Sequence, residues 1–150
     1  MKKCCVIGLG YIGLPTAALL ADSGYKVYGY DINQEIVEKV NNSEITIVEN
    51  DLQYLVEKVT KSQNLIAITK ITKSDVFVIT VPTPFKCSES FIPEPDISHV
   101  LTAAREIGKV LQKNNLVILE STSPVNTTSK VLEILIRESG LNSSEFNLCY

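Results

Sequence analysis

The stretch VIGLGYIGLPTAALLADSGYKVYGYD, residues 6–31, decides the fold. It opens on β-rich residues, passes through Gly8, Gly10 and Gly13, and runs into an apolar segment, Leu14–Ser23. Gly24 predicts a C-terminal helix cap, and a second β-rich run closes on Asp31, eighteen positions after Gly13. A lone GxGxxG is weak evidence. Here a strand precedes it, a helix opens behind it, and a second strand ends in an acid, as a dinucleotide fingerprint requires. In that reading Gly8 permits the tight turn, Gly10 lets backbone approach a pyrophosphate, and Gly13 lets the helix pack close to the sheet. The phosphates rest on unpaired N–H groups at the helix N-terminus, assisted by the helix dipole. Pro15 fits this placement, because first-turn N–H groups have no intrahelical partner to lose. The helix is therefore predicted to begin no earlier than about Ile12, or else to forfeit one hydrogen bond.

Asp31 is predicted to accept hydrogen bonds from the adenosine ribose and to repel a 2′-phosphate. Ile32, Asn33 and Gln34 offer no cation for such a phosphate, so the expected cofactor is NAD rather than NADP. On this reading Asp31 and the phosphate loop are separable: serine in place of the acid changes cofactor preference and leaves the loop undisturbed.

Outward from this stretch, β and α signals alternate. Strands are predicted at Lys3–Gly8, Lys26–Asp31, Leu65–Thr69, Val76–Val81, Leu116–Glu120 and Asn147–Tyr150. Helices are predicted from an Asn33 cap to Val40, from Asp51 to Lys61, from an Asp96 cap to Leu111, and over Thr128–Ser139. Unbroken apolar strands alternating with helices predict an α/β, Rossmann-type, doubly wound parallel sheet with helices on both faces. The sixth strand stops at Tyr150, where it should continue, so residues 1–150 are expected to be one NAD-binding domain of something longer.

The chain has 150 residues, 45% hydrophobic and 21% charged, with a formal charge of −3 and a pI near 5.2. No basic surface advertises nucleic acid. No apolar run reaches the length of a membrane span and no signal-peptide pattern precedes the first strand, so a cytoplasmic protein is expected. Cys4, Cys5, Cys87 and Cys149 form no CxxC and no zinc spacing, so no metal is predicted. They read as reduced, mostly buried thiols, with Cys4 and Cys5 on opposite faces of their strand.

The motifs VIGLGYIGLP, YDIN, ITIVENDL, VITVPTPFK, EPDISHV and VILESTSPVNTT, in this order, resemble the UDP-glucose/GDP-mannose dehydrogenase family over essentially the whole chain. The resemblance implies oxidation of C6 of a nucleotide sugar to a carboxylate by two NAD+, through aldehyde and thioester-level intermediates on a cysteine. None of the four cysteines here matches that nucleophile. The resemblance further implies that the catalytic cysteine, lysine and asparagine belong to segments beyond residue 150, as do the central helical and UDP-sugar-binding domains. These 150 residues alone are thus expected to be inactive, and the full-length protein to be a homodimer. PTPFK and ESTSP are most similar to the branch acting on UDP-N-acetyl-D-mannosamine, with UDP-N-acetylglucosamine and UDP-glucose as alternatives. A non-catalytic NAD-sensing module, the alternative from another class, has no need of VPTP or EST.

By motif match the resemblance implies that Tyr11 and Ile12 present backbone N–H groups to the cofactor phosphates. It implies that Thr83 contacts NAD, and that Thr122 contacts the cofactor and helps position catalytic water. Phe85 and Lys86 open a long connection, residues 85–95, and are candidates for the substrate side. His99 reads as a partly exposed helix residue, and Glu120 equally as a strand-end acid or a supporting group. Two positions depart from the family. Asn126 stands where glycine is frequent, and asparagine tolerates the positive φ such a turn uses. Ile36 replaces a frequent basic residue, which argues against a cationic contact to the adenosine end.

Overall fold

The computed structural model describes residues 2–45, 47, 49, 51–86 and 94–150. Cys87, most of the 85–95 connection and three positions of ITIVENDL lie outside the described residues. Six strands form one parallel sheet: β1 (Lys3–Ile7), β2 (Lys26–Tyr30), β3 (Leu65–Ile68), β4 (Val76–Ile79), β7 (Leu116–Leu119) and β8 (Asn147–Cys149). Their order is β3-β2-β1-β4-β7-β8. The chain winds outward through β3, then returns to place β4 beside β1, in register Cys4↔Val76 to Ile7↔Ile79. The β1/β4 boundary is the topological switch point, where open α/β sheets form their ligand crevice.

The helices divide between the two faces. α1 (Gly13–Asp22), α2 (Gln34–Asn41) and α3 (Leu52–Lys61) cover one side, burying Leu14, Ala17, Ala18, Ala21, Val37, Val40, Val56 and Val59 against Cys4, Val6 and Val27. α4 (Ser98–Gly108) and α5 (Thr127–Ser139) cover the other, burying Val100, Ala104, Ile107, Val131 and Leu135 against Cys5, Ile7, Phe77 and Ile79. Alternation along β1 thus sends Cys4 and Cys5 into opposite cores, as expected for neighbours on a strand. Burial raises both thiols above their ordinary pKa, Cys5 to about 12.

Most helix ends follow the sequence signals. Asn33 accepts the Glu35 N–H at 3.0 Å and caps α2. Gly24, at φ +92°, closes α1 in a Schellman arrangement: Tyr25 N–H reaches Leu20 O and Gly24 N–H reaches Ala21 O. Asp96 accepts the Ser98 N–H at 2.9 Å, so it does cap α4, although Ile97 occupies the formal cap position. Asn126 takes φ 70° ahead of α5, as its side chain allows.

Several boundaries differ. The strands end one or two residues early, because Gly8, Asp31, Thr80, Val81 and Glu120 already belong to the crevice loops. α4 stops at Gly108, and Leu111 stays in the core from a turn in which Asn115 accepts the Gln112 N–H. Asp51 precedes α3 in a left-handed conformation and makes no side-chain cap. Of the described cysteines, Cys4 and Cys5 are buried and Cys149 is exposed on the edge strand β8. The 85–95 connection carries a short antiparallel pair, β5 (Phe85–Lys86) and β6 (Glu94–Pro95), closed by Asp96 N–H to Pro84 O at 2.6 Å. Two-residue strands give too little periodicity to be read from sequence. No described helix is long and apolar enough to cross a membrane.

Candidate functional site

A cleft of about 760 Å³ opens at the carboxyl ends of β1, β2, β4 and β7. Gly8, Gly10, Tyr11, Ile12, Asp31, Thr83 and Thr122 all line it, so the fold brings seven predicted residues to one cleft. Gly13, the eighth, is buried behind the wall. A Cβ there would stand 1.7 Å from Gly8 O and 2.5 Å from Thr80 Oγ1, so only glycine lets α1 approach this closely. Phe85 and Lys86 are exposed at the base of the β5–β6 arm and do not line the cleft. His99 is an exposed residue of the first turn of α4, and it does reach the cleft wall.

The glycine turn is held from several directions. Gly8, at φ +97°, donates its N–H to Tyr30 O at 2.8 Å. Asp31 Oδ2 accepts the Leu9 N–H and Oδ1 accepts the Asn33 N–H, each at 2.9 Å. This corrects the view that the acid and the loop are separable, because the carboxylate is itself a loop anchor. Both oxygens keep lone pairs for further donors. Helical bonding begins at Leu14 N–H to Gly10 O and resumes at Thr16 N–H to Ile12 O. Pro15 skips the intervening bond to Tyr11 O, and regular helix runs from Gly13 with Ile12 at its cap, in keeping with the predicted start no earlier than about Ile12.

A dinucleotide fits this chemistry. Among the described residues, nothing accepts a hydrogen bond from the N–H groups of Gly10, Tyr11 or Ile12. A Cβ built on Gly10 meets nothing within 4 Å, which leaves room for a phosphate against the backbone. Among the described residues no Lys or Arg lines the cleft, while Asp31, Glu106 and Glu120 do. Attraction for an anionic group must come from backbone N–H groups and the α1 dipole, not from side-chain cations. Ile32, Ile36, Val81, Pro82 and Ala103 supply apolar surface, and Ile36 thus puts an apolar group where a basic one was missed. Burial, then the carboxylates of Glu106 and Asp31, raises the Tyr30 phenol on the same wall.

At the far end, the Thr83 hydroxyl donates to the Thr122 carbonyl at 2.8 Å. Buried Ser121 donates from Oγ to Val81 O at 2.7 Å. Two hydroxyls therefore tie the loop after β4 to the loop after β7. Among the described residues nothing bonds the exposed Thr122 hydroxyl. Glu120 Oε1 lies 3.4 Å from the Thr16 hydroxyl on α1.

Ser121 and Thr80 escaped the sequence reading. Thr80 is 8% exposed, and its Oγ1 lies 2.9 Å from both Ile7 O and Gly8 O. The available signal was a hydroxyl ending the otherwise apolar VFVIT. No three His, Cys, Asp or Glu side chains converge as a metal site among the described residues.

Residues 2–150 match the model of the UDP-glucose/GDP-mannose dehydrogenase family, NAD binding domain. UDP-N-acetyl-D-mannosamine dehydrogenase of Campylobacter jejuni is 51% identical over 137 residues, covering 91% of this chain and 33% of the relative. The enzyme of that name from Escherichia coli K12 is 51% identical over 130 residues, covering 87% and 30%. The solved UDP-N-acetyl-mannosamine dehydrogenase Cap5O of Staphylococcus aureus superposes with a TM-score of 0.90 at 38% identity, covering 98% of this chain and 35% of its own. The chain spans about a third of the length of these relatives. With the glycine turn, the acid after β2 and the crevice at the switch point, these matches show that the chain belongs to the UDP-glucose/GDP-mannose dehydrogenase family, as its NAD-binding domain.

Proposed function

We propose that this domain holds NAD+ for a UDP-sugar 6-dehydrogenase whose substrate is UDP-N-acetyl-D-mannosamine. The observation that carries the reading is the convergence of free loop N–H groups, Asp31, Thr83 and Thr122 on one cleft. The names of the two curated relatives at 51% identity support the sugar. NAD, when bound, accepts a hydride from the substrate carbon.

The chain's own residues have defined tasks in this reading. Tyr11 and Ile12 bind the pyrophosphate through backbone N–H, and Gly10 leaves the space for it. Asp31 orients the adenosine ribose and rejects a 2′-phosphate. The Thr83 hydroxyl donates its one hydrogen bond to Thr122 O, so it offers a lone pair to a donor on the cofactor. Thr122 presents a free hydroxyl that orients cofactor and water at the reacting end.

Among the described cysteines, Cys4 and Cys5 are buried, Cys149 is exposed on β8, and none lines the cleft. We therefore assign no nucleophile to these residues and expect them to turn over no sugar by themselves. The proposal extends to a cytoplasmic, homodimeric full-length enzyme, in keeping with the family resemblance. The test is to follow NADH formation by the full-length protein with UDP-N-acetyl-D-mannosamine, UDP-N-acetylglucosamine and UDP-glucose. Turnover of the first is expected. Preference for either other sugar reassigns the substrate, and no NAD-dependent turnover of any of them overturns the reading.

A further inference from the structure

We propose that Thr80 is a positioning residue for the dinucleotide: with Asp31 it clamps the peptide unit between Gly8 and Leu9 from both ends. This rests on the NAD-binding reading above. The Gly8 carbonyl and the Leu9 N–H belong to one planar group. Asp31 Oδ2 takes the N–H at 2.9 Å, and Thr80 Oγ1 stands 2.9 Å from the carbonyl oxygen. The hydroxyl has one proton and two candidate acceptors, Ile7 O and Gly8 O. Ile7 O already accepts the Thr80 N–H at 2.9 Å. Among the described residues Gly8 O has no other donor, so the proton goes to Gly8 O.

The carbonyl has nowhere else to turn. Gly13 packs onto it so closely that a Cβ would stand 1.7 Å away, and Thr80 is almost fully buried, so its hydroxyl is the donor that this carbonyl meets. Gly8 lies at φ +97°, where glycine imposes little preference of its own on the peptide plane. The two side-chain bonds fix that plane, and with it the direction in which Gly10, Tyr11 and Ile12 present their N–H groups. Asp31 keeps its second bond, to Asn33 N–H at 2.9 Å, so its carboxylate stays beside the ribose when Thr80 is altered. Loss of the Thr80 hydroxyl therefore disturbs recognition of the pyrophosphate and spares that of adenosine.

The experiment compares Thr80→Val, nearly isosteric without the hydroxyl, and Thr80→Ser in the full-length protein, with NAD+, ADP-ribose and adenosine as ligands. Calorimetry serves for the first two and saturation-transfer NMR for adenosine. Thr80→Val is expected to bind NAD+ and ADP-ribose about tenfold more weakly or worse, with adenosine affinity within about twofold. Equal losses for ADP-ribose and adenosine, as general destabilisation would give, overturn the clamp, as does no loss at all. Thr80→Ser keeps the hydroxyl and must bind ADP-ribose within about threefold of wild type; a tenfold loss also overturns the clamp, even if the valine variant does not fold. Wild-type protein that fails to bind NAD+ sinks the underlying reading, a result distinct from either.

Discussion

Gly10→Ala separates ligand binding from folding. The added Cβ meets no atom within 4 Å, and Gly10 is not among the residues at positive φ. The substitution therefore introduces no strain, and by restricting the unfolded chain it stabilises by about 0.4–1 kcal/mol. For a chain of this size that corresponds to a rise in Tm of roughly 1–4 °C. The same Cβ occupies the open space assigned to the pyrophosphate, so NAD+ affinity is expected to fall at least about tenfold, or about 1.4 kcal/mol. Gly13→Ala gives the opposite pattern. Its Cβ would lie 1.7 Å from Gly8 O, below the 3.0 Å that real contacts respect, so α1 must shift by more than an ångström. Overpacking of this kind typically costs about 1–3 kcal/mol. Thermal melts with calorimetric NAD+ titrations of both variants read the two effects independently. Unchanged NAD+ affinity in a folded Gly10→Ala protein would refute the placement of the phosphates.

Thr122→Ala in the full-length enzyme is expected to lower turnover roughly tenfold to a hundredfold with the fold intact, because Thr83 bonds the backbone carbonyl there; steady-state kinetics and circular dichroism check it. Wild type should prefer NAD+ to NADP+ by a factor between severalfold and about a thousandfold, from repulsion of about 1 kcal/mol in water to about 4 kcal/mol at an effective dielectric of 20. Asp31→Ser should narrow that preference in competitive titrations and weaken both cofactors through the released Leu9 N–H, beyond the loss of ribose contacts. Burial raises the Cys5 thiol from 9.0 to about 12, so the folded state holds its proton more tightly than the unfolded one. That stability is fully present below pH 9.0 and is lost as pH rises toward about 12, at roughly 1.4 kcal/mol per pH unit from this group. Urea titrations at successive pH values should show a decline that Cys5→Ala flattens. Alkylation of the folded chain should label exposed Cys149 and spare Cys4 and Cys5.

The doubly wound sheet was legible because its signals are local: apolar strands, capped helices, and a glycine turn between strand and helix. Asn33, Gly24 and Asp96 act at the termini they marked, since a cap involves residues two to five positions apart. The cleft-lining members of the candidate site were legible too, each sitting in a loop just past a strand end. Their mutual bonds were not. Asp31 reaches back 22 positions to Leu9, and Thr83 reaches 39 positions to Thr122, distances that only the sheet order closes. Thr80 was hidden for the same reason: a strand-end threonine reads as β propensity until β4 is known to lie beside β1.

A crystal structure of the domain grown with NAD+ would show the bound dinucleotide itself. The pyrophosphate is expected against the N–H groups of Tyr11 and Ile12, the adenosine ribose on Asp31, and the nicotinamide ring beside Thr83 and Thr122. A dinucleotide seated elsewhere, or lying in the cleft with its two ends exchanged, would contradict this placement.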